Sequence, residues 1–160
     1  VVDALADGLE IAIFVLDDGA VIRYANRAAR EFFKFADPIA KPLLTVTLSH
    51  ELDTLVFAVR SANEERAEEL TFQMPDERIG LAKAWPSPEG RLFLSVLDIT
   101  DLRRLERIRR DFVANVSHEL RTPLTLIRAM AETVLDDETP DPELVSRYLP
   151  RMIGEVDRLS

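Results

Sequence analysis

His118, Glu119 and Thr122 place an imidazole, a carboxylate and a hydroxyl within about one helical turn of each other. An imidazole can carry a phosphoryl group on one ring nitrogen while a neighbouring carboxylate takes or orients the proton on the other. Thr122 follows His118 by four residues, so on a helix its hydroxyl lies one turn along and can position water. A lone histidine on a helix is usually only a surface residue, but this combination of groups points to phosphoryl transfer.

The stretch that carries these groups, residues 111–127, has the periodicity of an amphipathic helix. Its apolar residues recur every three or four positions and are Phe112, Val116, Leu120, Leu124 and Ile127. At about 100° per residue, His118 lies almost opposite this stripe and faces water. Pro123 has no N–H, and its ring clashes with the carbonyl of Glu119, so a kink is predicted just past the histidine.

The run FVANVSHELRTP at residues 112–123 resembles the H-box of sensor histidine kinases, in particular of PhoR-like members of the two-component family. The resemblance implies that His118 is the phospho-acceptor and that Glu119 is the acid/base for autophosphorylation. It also implies that Thr122 helps to position water when the same site dephosphorylates its partner. Supporting residues of the same motif are Asn115, Arg121 and Pro123.

The letters SHEL occur twice, at residues 49–52 and at residues 117–120, which provides an internal control. The first copy continues with Asp53 and Thr54 instead of the Arg-Thr-Pro that follows the second. We therefore expect His50 to begin or flank an ordinary helix, and a ligand contact is the one functional role left open for it.

Composition narrows the function further. The 160 residues are 47% apolar, contain no cysteine and carry a formal charge of −9. This composition excludes a disordered chain, a disulfide framework and a thiolate metal site, and two distant histidines argue against a metal cluster. The negative charge argues against nucleic-acid or anionic-membrane binding. An arginine-rich run at residues 103–110 favours a solvated helix face, with a phosphate-attracting or juxtamembrane patch as the alternative.

Residues 1–101 read as a sheet with short helices. Alternating and apolar runs bounded by turn signals predict five strands, at residues 11–16, 21–24, 69–74, 79–85 and 91–98. Asn26 can cap a helix that runs to Phe33, and a second helical stripe covers residues 50–63. The predicted fold class is α+β, with a five-stranded antiparallel sheet and helices over one face.

This order of elements, with Asn26 after the second strand and Asp98-Ile99-Thr100 before a long helix, resembles a PAS sensor domain. The resemblance implies a small-molecule or partner-sensing pocket between the sheet and the helices. We interpret six aromatic residues as part of the core rather than as cofactor contacts. They are Phe14, Phe32, Phe57, Phe72, Trp85 and Phe93. The absence of cysteine argues against a flavin photoadduct.

Residues 102–160 are predicted to form a signalling helix and a helical hairpin. No Gly or Pro interrupts residues 101–121, so a rigid helix can transmit a shift from the sensor to His118. Asp136–Pro140 reads as a loop, after which Asp141 caps a second amphipathic helix with Pro142 at its first position. The two antiparallel helices cannot bury their apolar faces alone, so we predict a homodimeric four-helix bundle.

Pro150 lies within the second helical pattern, where a proline costs about 3 kcal/mol. Either that helix bends at Pro150, or the register of the two helices differs from this interpretation.

The sequence is therefore interpreted as the sensor and HisKA-type dimerisation and phospho-acceptor portion of a two-component sensor histidine kinase. The family resemblance implies that a separate ATP-binding domain of the same protein, using ATP and Mg²⁺, phosphorylates His118. A response-regulator receiver domain then takes the phosphoryl group on an aspartate. Residues 1–160 contain no nucleotide-binding loop, so we expect no cofactor and no ATP-driven activity from them alone.

The chain begins at Val1 and ends within a helical pattern, so we interpret it as a piece of a longer protein. It contains no apolar run of about eighteen residues that could cross a membrane. The family resemblance implies that this chain is the cytoplasmic portion of a bacterial kinase that is anchored in the inner membrane. The alternatives are a non-catalytic signalling dimer and a histidine phosphotransfer protein.

Overall fold

A computed structural model of the protein describes residues 2–73, 76–135 and 141–159, with side chains from residue 4 onward. The chain divides into two compact units, Val1–Arg104 and Leu105–Ser160. We call the first the sheet unit and the second the helical unit.

The sheet unit contains five strands and several short helices. The strands are β1 (Ala12–Leu16), β2 (Ile22–Ala25), β3 (Arg66–Phe72), β4 (Arg78–Pro86) and β5 (Leu92–Asp98). The helices before α5 are α1 (Val2–Asp7), α2 (Arg27–Phe33), α3 (Leu43–Thr47) and α4 (His50–Ala62). Helix α5 (Thr100–Leu135) begins in this unit and continues into the helical unit, which ends with α6 (Pro142–Arg158).

All neighbouring strands in the sheet are antiparallel, and the strand order is β2-β1-β5-β4-β3. Burial alternates along β1 and β5, so one face of the sheet packs against the helices while the other faces away. The predicted α+β class and the five-stranded antiparallel sheet are confirmed.

Phenylalanine rings fill the space between the sheet and α2. Phe14 lies 5.7 Å from Phe33, and Phe32 and Phe33 lie 5.4 Å and 5.3 Å from Phe72, measured between ring centroids. The buried positions of Phe14, Phe32 and Phe72 agree with the interpretation of these rings as core.

The same interpretation is wrong for three other aromatic residues. Phe57 is 69% exposed, because α4 buries the stripe formed by Leu52, Leu55, Val56 and Val59. Trp85 and Phe93 stack on each other at 5.7 Å on the sheet face away from the core. Their strand neighbours Ala84 and Leu94 take the core positions, and successive strand residues point to opposite faces.

Asn26 joins three elements of the sheet unit through its fully buried side chain. Its Oδ1 accepts hydrogen bonds from the backbone N–H groups of Ile13 at 2.9 Å and Ala29 at 3.0 Å. Its Nδ2 donates to the carbonyl oxygens of Ala6 at 2.8 Å and Ile11 at 2.9 Å. The predicted N-cap of α2 is confirmed, and the same amide also fixes α1 and the start of β1.

The helical unit consists of the continuation of α5 and the whole of α6. Both helices continue through their internal prolines, Pro123 and Pro150. The kink predicted at Pro123 stays a prediction, as do the two alternatives at Pro150, a bend or a different register. Asp141 accepts a hydrogen bond from the N–H of Glu143 at 2.8 Å, which confirms it as the N-cap with Pro142 at the first helical position. The predicted loop at residues 136–140 lies outside the described residues.

Candidate phosphoryl-acceptor site

His118 lies in an open groove of about 1000 Å³ that runs between α5 and α6. We call it the histidine groove. Its lining residues are Asn115, His118, Glu119, Thr122, Pro123 and Leu126 from α5, and Glu155 and Arg158 from the last turn of α6 with its C-cap Leu159. The structure therefore brings together five of the six residues that the sequence singled out, and Arg121 is not among the lining residues.

The periodicity of α5 explains this grouping. Positions 115, 118, 119, 122 and 126 recur at intervals of one, three or four residues, which places them on one side of a helix. The apolar stripe from Phe112 to Leu124 lies on another side by the same geometry. His118, Glu119 and Thr122 are all exposed, so the imidazole is accessible from the solvent.

Ser117, which precedes the histidine, makes a hydrogen bond within its own helix. Its hydroxyl donates to the carbonyl oxygen of Val113 at 2.7 Å, one turn back along α5. A serine bonded to its own helix backbone in this way is engaged locally.

Helix α6 runs antiparallel to α5, as the cavities between the two helices show. Near the end of α5, Val134 and Leu135 line a cavity with Val145 and Leu149 from the first half of α6. Further back along α5, Leu126 lines the histidine groove with the C-terminal residues of α6.

Sequence reasoning missed the three groove residues that α6 supplies. Glu155 and Arg158 form an ion pair of 3.1 Å, in which the Glu155 side chain is 19% exposed and that of Arg158 is 78% exposed. A signal for them existed, because the Asp141 cap fixes where α6 starts and antiparallel packing then brings its last turns back towards the histidine. The uncertain register at Pro150 prevented that step.

His50 has a different setting. It is the first residue of α4, and the hydroxyl of Ser49 caps that helix by accepting from the N–H of Leu52 at 3.1 Å. The prediction that His50 begins an ordinary helix is confirmed. A small cavity of about 180 Å³ adjoins His50. Its described lining residues do not include an Arg and a Pro like those that follow His118 in sequence.

The Glu51 side chain completes the cap of α4. It accepts from the hydroxyl of Ser49 at 3.1 Å. Hydrogen bonds from its own backbone N–H and from this hydroxyl lower the pKa of the Glu51 carboxyl. The carboxylate beside His50 is therefore engaged in helix capping.

Polar contacts anchor the start of α5 to the sheet. Asp98 accepts from the N–H of Thr100 at 3.0 Å and from Arg78 at 3.3 Å, while the Thr100 hydroxyl accepts from the N–H of Ile79 at 3.0 Å. One turn later, the guanidinium of Arg103 binds both carboxylate oxygens of Glu69, which lowers the pKa of that carboxyl. The helix that carries His118 therefore starts from a fixed point on β5.

Comparisons with known proteins match both halves of the chain. The model of the "His Kinase A (phospho-acceptor) domain" matches residues 108–160, and a PAS domain model matches residues 2–71. The sensor protein SphS of Synechococcus elongatus is 33% identical over 168 residues, which cover 98% of this chain and 40% of SphS. The chain spans less than half the length of the curated relatives it matches.

Two solved structures share the fold at low sequence identity. The PAS domain of nitrogen regulation protein NR(II) from Vibrio parahaemolyticus is 21% identical with a TM-score of 0.53, across 62% of this chain and 98% of that one. Histidine kinase ThkA, solved in complex with the response regulator protein TrrA, is 20% identical with a TM-score of 0.53, across 92% of this chain and 48% of that one.

The fold and the two domain matches define a protein that joins a PAS domain to a histidine phospho-acceptor domain. The chain belongs to the sensor histidine kinases and contains their PAS and phospho-acceptor portions. Across the described residues, none of the helices combines the length and apolar character that a membrane span needs.

Proposed function

We propose that His118 accepts the γ-phosphoryl group of ATP from a separate ATP-binding domain and passes it to an aspartate of a response regulator. The observation that carries this proposal is the histidine groove, where an exposed imidazole lies with a carboxylate and a hydroxyl on one open surface. Such a transfer depends mainly on positioning and charge stabilisation, because the transition state is loose. An open groove on a rigid helix suits a donor that must approach and leave.

The chemistry balances with the groups present. An imidazole nitrogen of His118 forms the bond to the γ-phosphorus while the bond to the β,γ-bridging oxygen breaks and ADP leaves. The proton on the other imidazole nitrogen passes to the Glu119 carboxylate, so Glu119 acts as the acid/base. In the reverse role as a phosphatase, the Thr122 hydroxyl positions water for attack on the phosphorylated regulator, with Asn115, Arg121 and Pro123 supporting the site.

The sensor role is assigned to residues 1–101 and the signalling and phospho-acceptor role to residues 102–160. The ATP-binding domain that uses ATP and Mg²⁺ lies elsewhere in the protein under this proposal, so these 160 residues are inactive with ATP alone. The signal is a small molecule or a partner, which the sheet unit senses. The whole protein is a bacterial kinase anchored in the inner membrane, and this chain is its cytoplasmic portion.

A response regulator and a second copy of this chain are the proposed partners. ThkA, which shares the fold, was solved with a response regulator. The homodimer is supported by the apolar stripe of α5, where Phe112 is 66% exposed and Leu120 is 38% exposed. Two copies that cover these stripes would form a four-helix bundle.

The test supplies this chain with Mg²⁺, radiolabelled ATP and an ATP-binding domain of a sensor histidine kinase, and measures acid-labile phosphate on the chain. We expect label on the wild type and on His50→Gln, and none on His118→Gln. Omitting the ATP-binding domain should abolish label altogether.

Label on His118→Gln would mean that another residue is the acceptor. Absence of label on the wild type, with a catalytic domain that phosphorylates its own acceptor normally, would favour a non-catalytic signalling dimer.

A further inference from the structure

The motif residues that line the histidine groove include no arginine or lysine that could balance the charge of a phosphoryl group. Two of its lining residues, Glu119 and Glu155, carry carboxylates, and a phosphoryl group on His118 would add a further dianion beside them. Arg121, the cation nearest to His118 in sequence, is not among the lining residues. The guanidinium that the groove does contain is that of Arg158, which α6 supplies.

Arg158 is held where it can respond to a new anion. Its guanidinium pairs with Glu155 at 3.1 Å across one helical turn, and its side chain is 78% exposed. Water competes for the exposed guanidinium and weakens its pairing with Glu155, whose side chain is itself only 19% exposed. A phosphoryl dianion offers a guanidinium two parallel charge-assisted hydrogen bonds, which are stronger than one contact to a carboxylate.

We propose that Arg158 releases Glu155 and binds the phosphoryl group at His118, which makes it a further residue of the acceptor site. The inference rests on the proposed function of His118. Arg158 stabilises the charge that develops on the phosphoryl oxygens during transfer to the imidazole and again during transfer away from it. Glu155 holds the guanidinium in the groove while the histidine is unphosphorylated.

The arrangement assigns α6 a part in the chemistry as well as in packing. Arg158 and His118 lie on different helices, so a displacement of α6 along α5 would change how well the guanidinium reaches the phosphoryl group. Helix shifts of about 1–2 Å are a common form of signalling movement.

The experiment measures the initial rate of acid-labile phosphate incorporation with ATP, Mg²⁺ and the ATP-binding domain supplied. Arg158→Ala should slow incorporation by about ten- to a hundredfold, because one charge-stabilising contact to the transferring group is lost. Arg158→Lys should recover part of the rate, since it retains the charge but not the bidentate fork. Glu155→Gln should raise the rate severalfold, because the guanidinium is no longer held by a carboxylate.

Arg147→Ala is the matched control, an exposed arginine about three turns earlier on α6 that lines neither the histidine groove nor the adjoining cavity that contains Glu155 and Arg158. It should stay within about twofold of the wild type, as expected for a surface substitution away from the site. Equal rates for Arg158→Ala and Arg147→Ala, with His118→Gln still unlabelled, would overturn the inference and leave the proposed function standing. Absence of label on the wild type would instead remove the proposed function itself.

A second measurement guards against simple unfolding of α6. Helix content is compared by circular dichroism, and if Arg158→Ala loses helix, the lysine and Glu155→Gln variants carry the test. The inference then requires a rate order in which Glu155→Gln is faster than the wild type and Arg158→Lys is slower. Any other order contradicts it.

Discussion

The sequence SHEL begins at the cap of α4 and recurs inside α5, and both helices carry apolar stripes, yet the stripe of α4 is buried and that of α5 is exposed. Helix α4 buries Leu52, Leu55, Val56 and Val59 within 13 residues. Helix α5 has 36 residues, of which Met130 is the one buried residue among those described, and the described part of α6 buries none. The apolar pattern is alike, and the sheet of its own unit covers the stripe of α4.

The contrast shows that a helical stripe predicts which face seeks a partner and not whether the partner lies in the same chain. The sheet unit completes its own core, so its helices are covered. The helical unit leaves its stripe outward, which supports the proposed second copy. The two histidines follow this division, because His50 begins a covered helix and His118 lies in the middle of an uncovered one.

The largest expected difference between the units concerns two phenylalanines. Phe14 is fully buried against Phe33, so Phe14→Ala should lower the free energy of unfolding by about 3–5 kcal/mol. Phe112 is 66% exposed, so Phe112→Ala should instead weaken dimerisation. Chemical denaturation and sedimentation equilibrium measure the two effects. A large loss of stability in Phe112→Ala at concentrations where the chain is monomeric would break the comparison.

Two asparagines provide a polar version of the same contrast. Asn26→Ala removes four hydrogen bonds from a fully buried side chain, and the unpaired groups left behind should cost about 2–4 kcal/mol. Asn115→Ala, on the exposed surface of α5, should change stability by no more than about 0.5 kcal/mol. Urea unfolding followed by circular dichroism measures both. Equal costs would show that Asn26 is not the joint between α1, β1 and α2.

Alanine substitution should lower the free energy of unfolding at Ser49 but not at Ser117. Ser49 caps α4, so Ser49→Ala should destabilise the sheet unit by about 1 kcal/mol. Ser117 lies inside α5 and its hydroxyl bonds to the backbone of the same helix. Ser117→Ala should therefore leave the free energy of unfolding unchanged or raise it by about a few tenths of a kcal/mol. Thermal unfolding of the pair distinguishes these outcomes, and a loss in Ser117→Ala would indicate a further role for that hydroxyl.

The smallest effect concerns acid stability of the sheet unit. Hydrogen bonds from the N–H of Val21 and from Arg23 lower the pKa of the Asp17 carboxyl, which lies in the turn between β1 and β2. A lowered pKa stabilises the fold above the ordinary pKa of an aspartate, and this contribution disappears as the pH falls through the lowered value.

Asp17→Asn should therefore flatten the acid limb of the stability curve by less than about 1 kcal/mol, since the group is partly exposed. Asp18→Asn is the neighbouring control and should leave the limb unchanged. Urea midpoints measured from neutral pH down to acid conditions test this. An identical acid limb in the wild type and Asp17→Asn would remove Asp17 as its cause.

Much of the architecture followed from local patterns. The turn signals and alternating runs predicted the five strands, and the side chains of Asn26 and Asp141 were predicted as helix caps. Strand ends differ by a few residues, as with β3, which begins at Arg66 instead of Glu69. Residues 66–68 are exposed on an edge strand, so they lack the apolar alternation that marks a strand in sequence.

The aromatic residues mark where sequence reasoning stopped. Large apolar side chains are usually buried, which led to Phe57, Trp85 and Phe93 being placed in the core. Their exposure depends on which face of a helix or strand meets a neighbour. The same limit applies to the histidine groove, whose α6 residues could be identified only when the packing of two helices was known.

The sequence by itself pointed to His118 as the candidate phospho-acceptor and determined the helix that carries it and the caps that start α2 and α6, because these depend on residue types within a few positions of each other. Only the tertiary structure decided that Asn26 joins α1, β1 and α2, that Phe57 faces water, and that Glu155 and Arg158 line the same groove as His118. Those contacts join residues far apart in the chain, and their partners are selected by packing, which no local spacing records.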